Sequence, residues 1–555
     1  MYLDYMRESI KNVEKTRAER LKLAKSGKPI VERMSDKERE EVLNKFHPDY
    51  KEESRKKVRI GPNKGDKLTS EVVDILEAYS RVQPDYFDLE NPDYETDVLV
   101  IGAGSAGFCA AILADENGAD VTLATKLRSG DSNSMMAQGG IQAAVRPDDS
   151  PYLHYLDVMG GGHFDNKSDL VRALVSEAPG AIKWLQELGV MFDRNEDGTM
   201  LTKPGGGTCR PRMHSARDYS GAGMCRVLRD EVENRADRIN ILEHQPAVEL
   251  IKDEKGKVAG AILYHLQNKC YITVKAKSTI IATGGFGRLH VQGFETTNHY
   301  GATADGLVMA YRVGANLMYM DSVQYHPTGA VFPPQILGFL CTEKLRGLGA
   351  QPVNKNGELF VYPLEPRDVE ASAFIRECKE RGNGVATPDG NVGIWLDTPL
   401  IEQINGSGTI KSNLPAMLRQ FDRFDIDIRK DPMLVYPTLH YQNGGIEIND
   451  KCETKVEGLY VAGESTGGVH GRNRLMGNSQ LDLMVFGRRA GKFAAEYAKS
   501  TKLGKLTLNH VNEYEKEVEK IGIDKDKIAP VVLPDYIPDK VKKKQYTAHP
   551  EGTLR

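Results

Sequence analysis

Asp97-Val98-Leu99-Val100-Ile101-Gly102-Ala103-Gly104-Ser105-Ala106-Gly107 joins an apolar run to a G-x-G-x-x-G turn, beyond which an apolar helix continues through Leu113. A strand without polar alternation is one buried on both faces, as in a parallel sheet. Glycines in such a turn let the backbone approach a pyrophosphate, which then sits on the free N–H groups of the following helix. A second strand, Val121 to Ala124, completes one βαβ unit. It ends in Thr125-Lys126, without the acidic residue that would take a ribose hydroxyl, which counts against NAD.

Two further strands extend this unit. Tyr271 to Val274 and then Thr279 to Ile281 run into Ala282-Thr283-Gly284-Gly285, and Gly458 to Ala462 runs into Gly463-Glu464. The sequence therefore predicts an α/β fold with a discontinuous Rossmann-like nucleotide domain in two parts, 95–305 and 433–500. An α+β capping domain, 306–432, is inserted between them, and a cleft between the two domains holds the substrate. Residues 1–94 form a charged helical N-terminal extension, basic up to Lys67 and acidic from Glu71 to Glu95. It carries a capping box at Ser35-Asp36-Lys37-Glu38, a break at Gly61-Pro62-Asn63-Lys64-Gly65-Asp66, and an apolar stripe of Val72, Val73, Ile75 and Leu76. This reads as a solvated helical arm, or as a clasp around a partner subunit. Residues 501–555 read as a C-terminal tail, rich in Lys and Pro from 524 onward and extended.

Composition bounds the function. With 555 residues, 40% hydrophobic and 27% charged, the chain has the make-up of a soluble globular protein of two or three domains. A net charge of -4 provides no field to recruit nucleic acid or an anionic membrane. No run of eighteen apolar residues is present, so no direct membrane span is expected. The start of the chain, charged and helix-favouring from Met1 to Lys25, lacks the pattern of a signal peptide, which points to the cytoplasm. Seven cysteines without a C-x-x-C pair argue against a disulfide framework, a metal site, and an iron–sulfur cluster held by this chain. Clusters, if electrons pass through them, belong to another chain.

Three more segments favour FAD. Ala137-Gln138-Gly139-Gly140 offers small residues and an amide to face an isoalloxazine ring. Thr303-Ala304-Asp305-Gly306 offers a carboxylate, and Gly463-Glu464 offers another at a strand end.

From about Thr96 to Ala495 the chain resembles the succinate dehydrogenase/fumarate reductase flavoprotein family. The motifs are Gly102 to Gly107, Ala137 to Gly140, Ala282 to Gly285, Gln324-Tyr325-His326-Pro327-Thr328-Gly329 and Thr342-Glu343-Lys344-Leu345-Arg346-Gly347. They continue, in family order, with Pro366-Arg367-Asp368, His440-Tyr441 with Gly444-Gly445, and His470-Gly471-Arg472-Asn473-Arg474-Leu475. L-aspartate oxidase belongs to the same superfamily and shares most of them.

The resemblance implies a role for each residue. FAD contacts fall to Gly102, Ala103, Gly104, Ser105 and Ala106 in the turn, then to Lys126, Ser132, Asn133, Ser134, Gln138, Gly139 and Gly140. Ala247, Thr283, Gly284, Asp305, Glu464, Arg474, Ser479 and Leu481 complete the set. Arg474 and His440 resemble the clamp on one carboxylate of a C4 dicarboxylate, while His326, Thr342 and Glu343 take the other. Held at both ends against flavin N5, fumarate would receive a hydride on one carbon and a proton from Arg367 on the other. Arginine is a weak general acid, so the role needs a relay, and Glu343 with Arg346, three residues apart, resembles the family's Arg–Glu–Arg pathway. Taken singly, each of these side chains is more often a surface group or a satisfied hydrogen-bonding partner. Filled together, the roles carry weight.

The chain departs from the family in two places. Membrane-bound members attach FAD to a histidine after a serine, but Asn133 stands there, within Ser132-Asn133-Ser134, so non-covalent FAD is expected. That absence tilts the expectation toward fumarate reduction. In place of a helical bundle of roughly a hundred residues, about sixty residues follow Ala495, with Pro530, Pro534, Pro538 and Pro550 among them. The expectation is the flavoprotein subunit of a soluble fumarate reductase, or succinate dehydrogenase, fed by an iron–sulfur or thiol-oxidising partner subunit. L-aspartate oxidase and a non-catalytic flavin electron-transfer scaffold are the alternatives.

Overall fold

The computed structural model describes residues 2–27, 31–289 and 293–533; Pro534, Pro538 and Pro550 of the expected tail lie outside the described residues. At its centre the strand Tyr94–Ile101 runs parallel to Val121–Ala124 on one side and to Cys270–Ile281 on the other, with Ile101 paired to both Ala124 and Ile281. Ile239–Leu242 extends the parallel sheet beyond Val121–Ala124. Both faces are covered, and Val98, Leu99 and Val100 are fully buried, as the unbroken apolar run demands.

The two apolar stretches 271–274 and 279–281 belong to one twelve-residue strand. Its first half pairs antiparallel with Val258–His265, and its last three residues pair parallel with Leu459–Val461. Lys275 and Lys277, which break the apolar run in sequence, reach Glu95 and Asp97 on the neighbouring strand at 3.1 and 2.6 Å.

The helix after the turn, Ser105–Glu116, packs against the long helix Asn478–Ser500 so closely that a Cβ on Gly491 would lie 2.2 Å from the Ala110 carbonyl oxygen. This contact fixes the N-terminus of the helix beneath the glycine turn.

A second, antiparallel sheet forms the cap, in the order Val323–Ala330, Met433–Gln442, Val392–Asp397, Gln351–Val353. Met433–Gln442, which the expected boundary at 433 assigns to the nucleotide domain, is hydrogen-bonded into this sheet, with Val323 opposite Gln442 and His326 opposite Thr438. Its near-continuous burial leaves no polar alternation from which its sheet could be read.

The N-terminal extension is not a solvated arm. Its first helix, Asp4–Lys25, sets Met6, Ile10 and Val13 at helical spacing into the cap core with Phe332 and Trp395. Arg17 and Arg20 both pair with the buried Asp397, at 2.8 and 2.7 Å. The capping box of the second helix, Asp36–Phe46, forms as expected, and Val72, Val73, Ile75 and Leu76 are buried in the short helix Ser70–Leu76. The region from 501 is likewise not wholly extended. Asn509–Lys520 is a helix that buries Val511, Tyr514 and Val518 on one face. Among the described residues no helix is long and apolar enough to cross a membrane and no His/Cys/Asp/Glu group could hold a metal ion. All seven cysteines are free.

Candidate active site between the parallel sheet and the cap

A cavity of about 580 Å³ opens at the C-terminal ends of the parallel strands, where ligands bind in doubly wound sheets. It starts at the glycine turn. Gly102 has φ +111°, and a Cβ there would lie 2.3 Å from the Ala282 carbonyl oxygen; one on Gly107 would lie 1.8 Å from the Gly102 carbonyl oxygen. Only glycine fits either position. The cavity is lined by Gly102, Ala103, Gly104, Ala106, Lys126, Ser132, Asn133, Ser134, Gln138, Ala247, Thr283, Gly284, Asp305, Glu464 and Ser479, so these expected FAD residues converge on one space.

Five others do not line it. Ser105 is buried in the first turn of the helix, and Leu481 is core. Gly139 abuts Met476, and Gly140 packs on the His214 carbonyl. Arg474 lies in the neighbouring cluster of arginines. Lys126 and Asp305 pair with each other at 2.5 Å, and Lys126 also donates to Thr303 Oγ1 and to the Val532 carbonyl.

The remaining lining groups suit FAD. Among the described residues the buried Gln138 Oε1 has no hydrogen-bond partner, which leaves it free to accept from a ring N–H. Burial pushes the Glu464 carboxyl up to about 7, offset in part by the hydrogen bond from the Gln442 N–H. Asn133 is bound on both sides of its amide, donating to Asn298 Oδ1 at 2.8 Å and accepting from the His299 N–H at 2.5 Å.

His440 and Tyr441 form the cavity wall on the cap side. Behind them the other expected substrate residues meet. His326, on Val323–Ala330, has its ring 5.1 Å from that of His440, on the paired strand Met433–Gln442. Thr297 Oγ1 lies 2.8 Å from His440 Nδ1. Arg367, the first residue of the helix Arg367–Ile375, donates from Nε to Glu343 Oε2 at 2.7 Å and from Nη1 to Gln324 Oε1 at 3.1 Å. Arg474 donates from Nη2 to the same Gln324 oxygen at 2.9 Å, and its guanidinium lies 4.5 Å from the centroid of the Tyr441 ring. Arg346 lies 3.4 Å from Glu343 Oε2 and also pairs with Glu370. Thr342 is buried beside Glu343.

The electrostatics are those of an anion site. Burial raises the Glu343 carboxyl, but Arg367 and Arg346 outweigh it and hold it at about 2, so it stays ionised. Burial, and then Arg367, pull Arg474 down to about 9; among the described residues no carboxylate pairs with it, and its Nε has no partner. His326 and His440 fall well below the ordinary range, through burial first and then Arg367, and are neutral. The site's positive charge therefore sits on guanidinium groups and is incompletely compensated.

Sequence reasoning missed Gln324, whose amide joins both arginines and also donates to Asn473 Oδ1 and the Arg474 carbonyl. It opens the Gln324-to-Gly329 motif, but nothing local reveals its partners. Gly206, whose N–H donates to Glu343 Oε1 at 2.7 Å, was signalled by the unusual run Gly205-Gly206-Gly207. Glu370, three residues beyond Arg367 on the same helix, was also missed.

The chain also matches known proteins over most of its length. The family model described as FAD binding domain matches residues 97–480. The fumarate reductase (CoM/CoB) of Methanothermobacter marburgensis has a subunit 39% identical in sequence, the match covering 74% of this chain and 75% of that one. L-aspartate oxidase of Nostoc is 36% identical, covering 70% and 66%. A solved structure of a variant FrdA of Escherichia coli quinol fumarate reductase superposes with TM-score 0.69 at 31% identity, covering 77% and 74%. The chain belongs to the succinate dehydrogenase/fumarate reductase flavoprotein family and is an FAD-dependent oxidoreductase of the CH–CH class.

Proposed function

We propose that the protein reduces fumarate, or a close C4 dicarboxylate, as the flavoprotein subunit of a fumarate reductase. The observation that carries this reading is the pair Arg367 and Arg474, buried behind the His440 and Tyr441 wall of the flavin cavity and sharing one neutral acceptor, Gln324. Arg367 is paired with Glu343, but among the described residues Arg474 has no paired carboxylate; a buried cation left so is costly, and an entering carboxylate removes that cost.

When bound, FAD supplies the hydride for the C=C bond. The glycine turn at Gly102 to Gly107 and the amide of Gln138 hold it, and Asn133, which offers no imidazole nitrogen for a covalent bond, leaves it releasable. Arg474, with His440, takes one carboxylate in a bidentate grip and fixes its plane. His326 and Thr342, beside Glu343, receive the other. Held at both ends, the substrate is polarised and its reacting carbons are fixed against the cavity wall. Arg367 gives its proton to the second carbon, and Glu343, ionised and 2.7 Å away, is the group through which that proton is replaced.

Electrons arrive from an iron–sulfur or thiol-oxidising partner, because the scattered cysteines of this chain form no cluster motif. A cytoplasmic place fits the free thiols. L-aspartate oxidation is the second reading, favoured by the 36% identical relative of that name. Anaerobic turnover of fumarate with reduced methyl viologen, set beside oxygen-dependent oxidation of L-aspartate, separates them. Fumarate reduction without aspartate oxidation is expected; rapid aspartate oxidation with no viologen-linked fumarate reduction would overturn the proposal.

A further inference from the structure

Glu370 is a buried acid for which the mechanism above has no use. It lies within the helix that begins at Arg367, has no exposed surface, and pairs through Oε2 with Arg346. Its other oxygen, Oε1, has no hydrogen-bond partner among the described residues. Burial raises this carboxyl well above the ordinary range; Arg346 lowers it in part, while Glu343 and Glu365 raise it further and Arg367 lowers it. Burial thus favours the protonated form of Glu370, which lies beside an arginine that contacts the ionised Glu343.

A second set of groups, beginning at Glu365, whose charge acts on Glu370, reaches the surface. Glu365, also fully buried, accepts from the Met34 N–H at 2.8 Å and from Arg39 Nη2 at 3.0 Å. Arg39 is 26% exposed and lies 3.5 Å from Asp36, which is fully exposed. Both Arg39 and Asp36 belong to the second helix of the N-terminal extension, which packs on the Arg367 helix. Titratable side chains thus stand between solvent and Arg367, Glu365 being coupled to Glu370 through its charge, and the outer ones, Arg39 and Asp36, come from the segment that precedes the family match at 97.

We propose that Glu370 is the proton store that reloads Arg367 by way of Arg346 and Glu343, and that the N-terminal extension, through Arg39 and Glu365, forms the solvent end of this route. The proposal rests on the reading of Arg367 as the proton donor. In one turnover an N–H bond of Arg367 breaks and a C–H bond of the product forms. The O–H bond of Glu370 then breaks, and proton shifts along Arg346 and Glu343 remake the Arg367 N–H. A hydronium ion from solvent restores Glu370, so each product consumes one proton from water. The hydride electron pair is accounted for by the reductase activity. Glu370 is a positioning and supply residue and touches no reacting atom.

The test compares the first turnover with continuous turnover in full-length, FAD-loaded protein. In E370Q the acceptor that holds Arg346 is kept and the stored proton is lost. Reduced enzyme mixed anaerobically with fumarate reports the first turnover as flavin reoxidation, and an excess of reduced methyl viologen reports continuous turnover. Because Arg367 begins loaded, E370Q is expected to reoxidise within about twofold of the wild-type rate, while continuous turnover falls by about tenfold or more. E370D, which keeps an acid, recovers much of the loss, and R39Q slows continuous turnover alone. Wild-type continuous turnover in E370Q overturns the proposal. So does a parallel fall in both rates, which would mean that Glu370 only holds Arg346. An unaffected R39Q overturns the role of the extension. Wild-type protein whose reduced flavin fumarate does not reoxidise removes the underlying reading, and this proposal with it.

Discussion

Gln324→Glu places one negative charge where Arg367 and Arg474 now share a neutral oxygen, at 3.1 and 2.9 Å, with almost no change in shape. The new carboxylate does internally what a substrate carboxylate would do on entry. It compensates the two guanidinium groups, so the ligand-free protein should become more stable rather than less. Substrate then meets a neutralised wall. A unit charge about 6 Å from the bound carboxylate, at an effective dielectric of about 20, costs binding about 3 kcal/mol, roughly a hundredfold in affinity. The assay is the KM for fumarate with reduced viologen, beside the melting temperature with and without succinate. KM should rise roughly a hundredfold, and the stabilisation given by succinate should shrink. Gln324→Leu, which removes the acceptor and adds no charge, should instead lower the ligand-free melting temperature. An unchanged or lower KM in Gln324→Glu would rule out attraction of the substrate by incompletely compensated guanidinium charge.

Gly102→Ala puts a Cβ 2.3 Å from the Ala282 carbonyl oxygen at φ +111°, so the variant should purify without yellow colour; bound FAD at wild-type stoichiometry would contradict the cradle. Arg367→Ala should retain FAD and lose about 10²- to 10⁴-fold in kcat, measured by viologen oxidation, and a normal kcat would refute its role as proton donor. Glu343, held at about 2 against an ordinary 4.5, contributes stability that is present above about pH 4.5 and is lost as pH falls through about 2. At about 1.4 kcal/mol per tenfold in proton affinity, that contribution is about 3 kcal/mol. Melting curves of wild type and Glu343→Gln should therefore differ most near neutrality and converge toward pH 2; a constant gap would show that the carboxylate is not the linked group.

Much of the fold was legible because its signals are local. The apolar run to Ile101, the turn glycines and the Val121–Ala124 strand each follow from backbone sterics and two-sided burial, and each forms as read. The errors arose where a signal is carried by partners distant in sequence. Met433–Gln442 shows no alternation because both its faces are covered, so only its pairing with Val323–Ala330 reveals its sheet. The first helix reads as charged and solvated because its apolar stripe, Met6, Ile10 and Val13, is narrow, and the Asp397 that neutralises Arg17 and Arg20 lies 380 and 377 residues away. In the site, the arginines and histidines stood in recognisable motifs. Gln324 and Glu370 did not stand out, since a neutral amide and one acid on a helix acquire meaning only from what faces them.

Catalysis here depends on a flavin cavity beside which a dicarboxylate is gripped at both ends. A crystal structure of the protein with FAD and succinate is the decisive measurement. The isoalloxazine is expected in the 580 Å³ cavity beside His440, with one carboxylate on Arg474, the other near His326 and Thr342, and Arg367 against the reacting carbons. Succinate bound away from Arg367 and Arg474, or a flavin ring that does not reach His440, would contradict it.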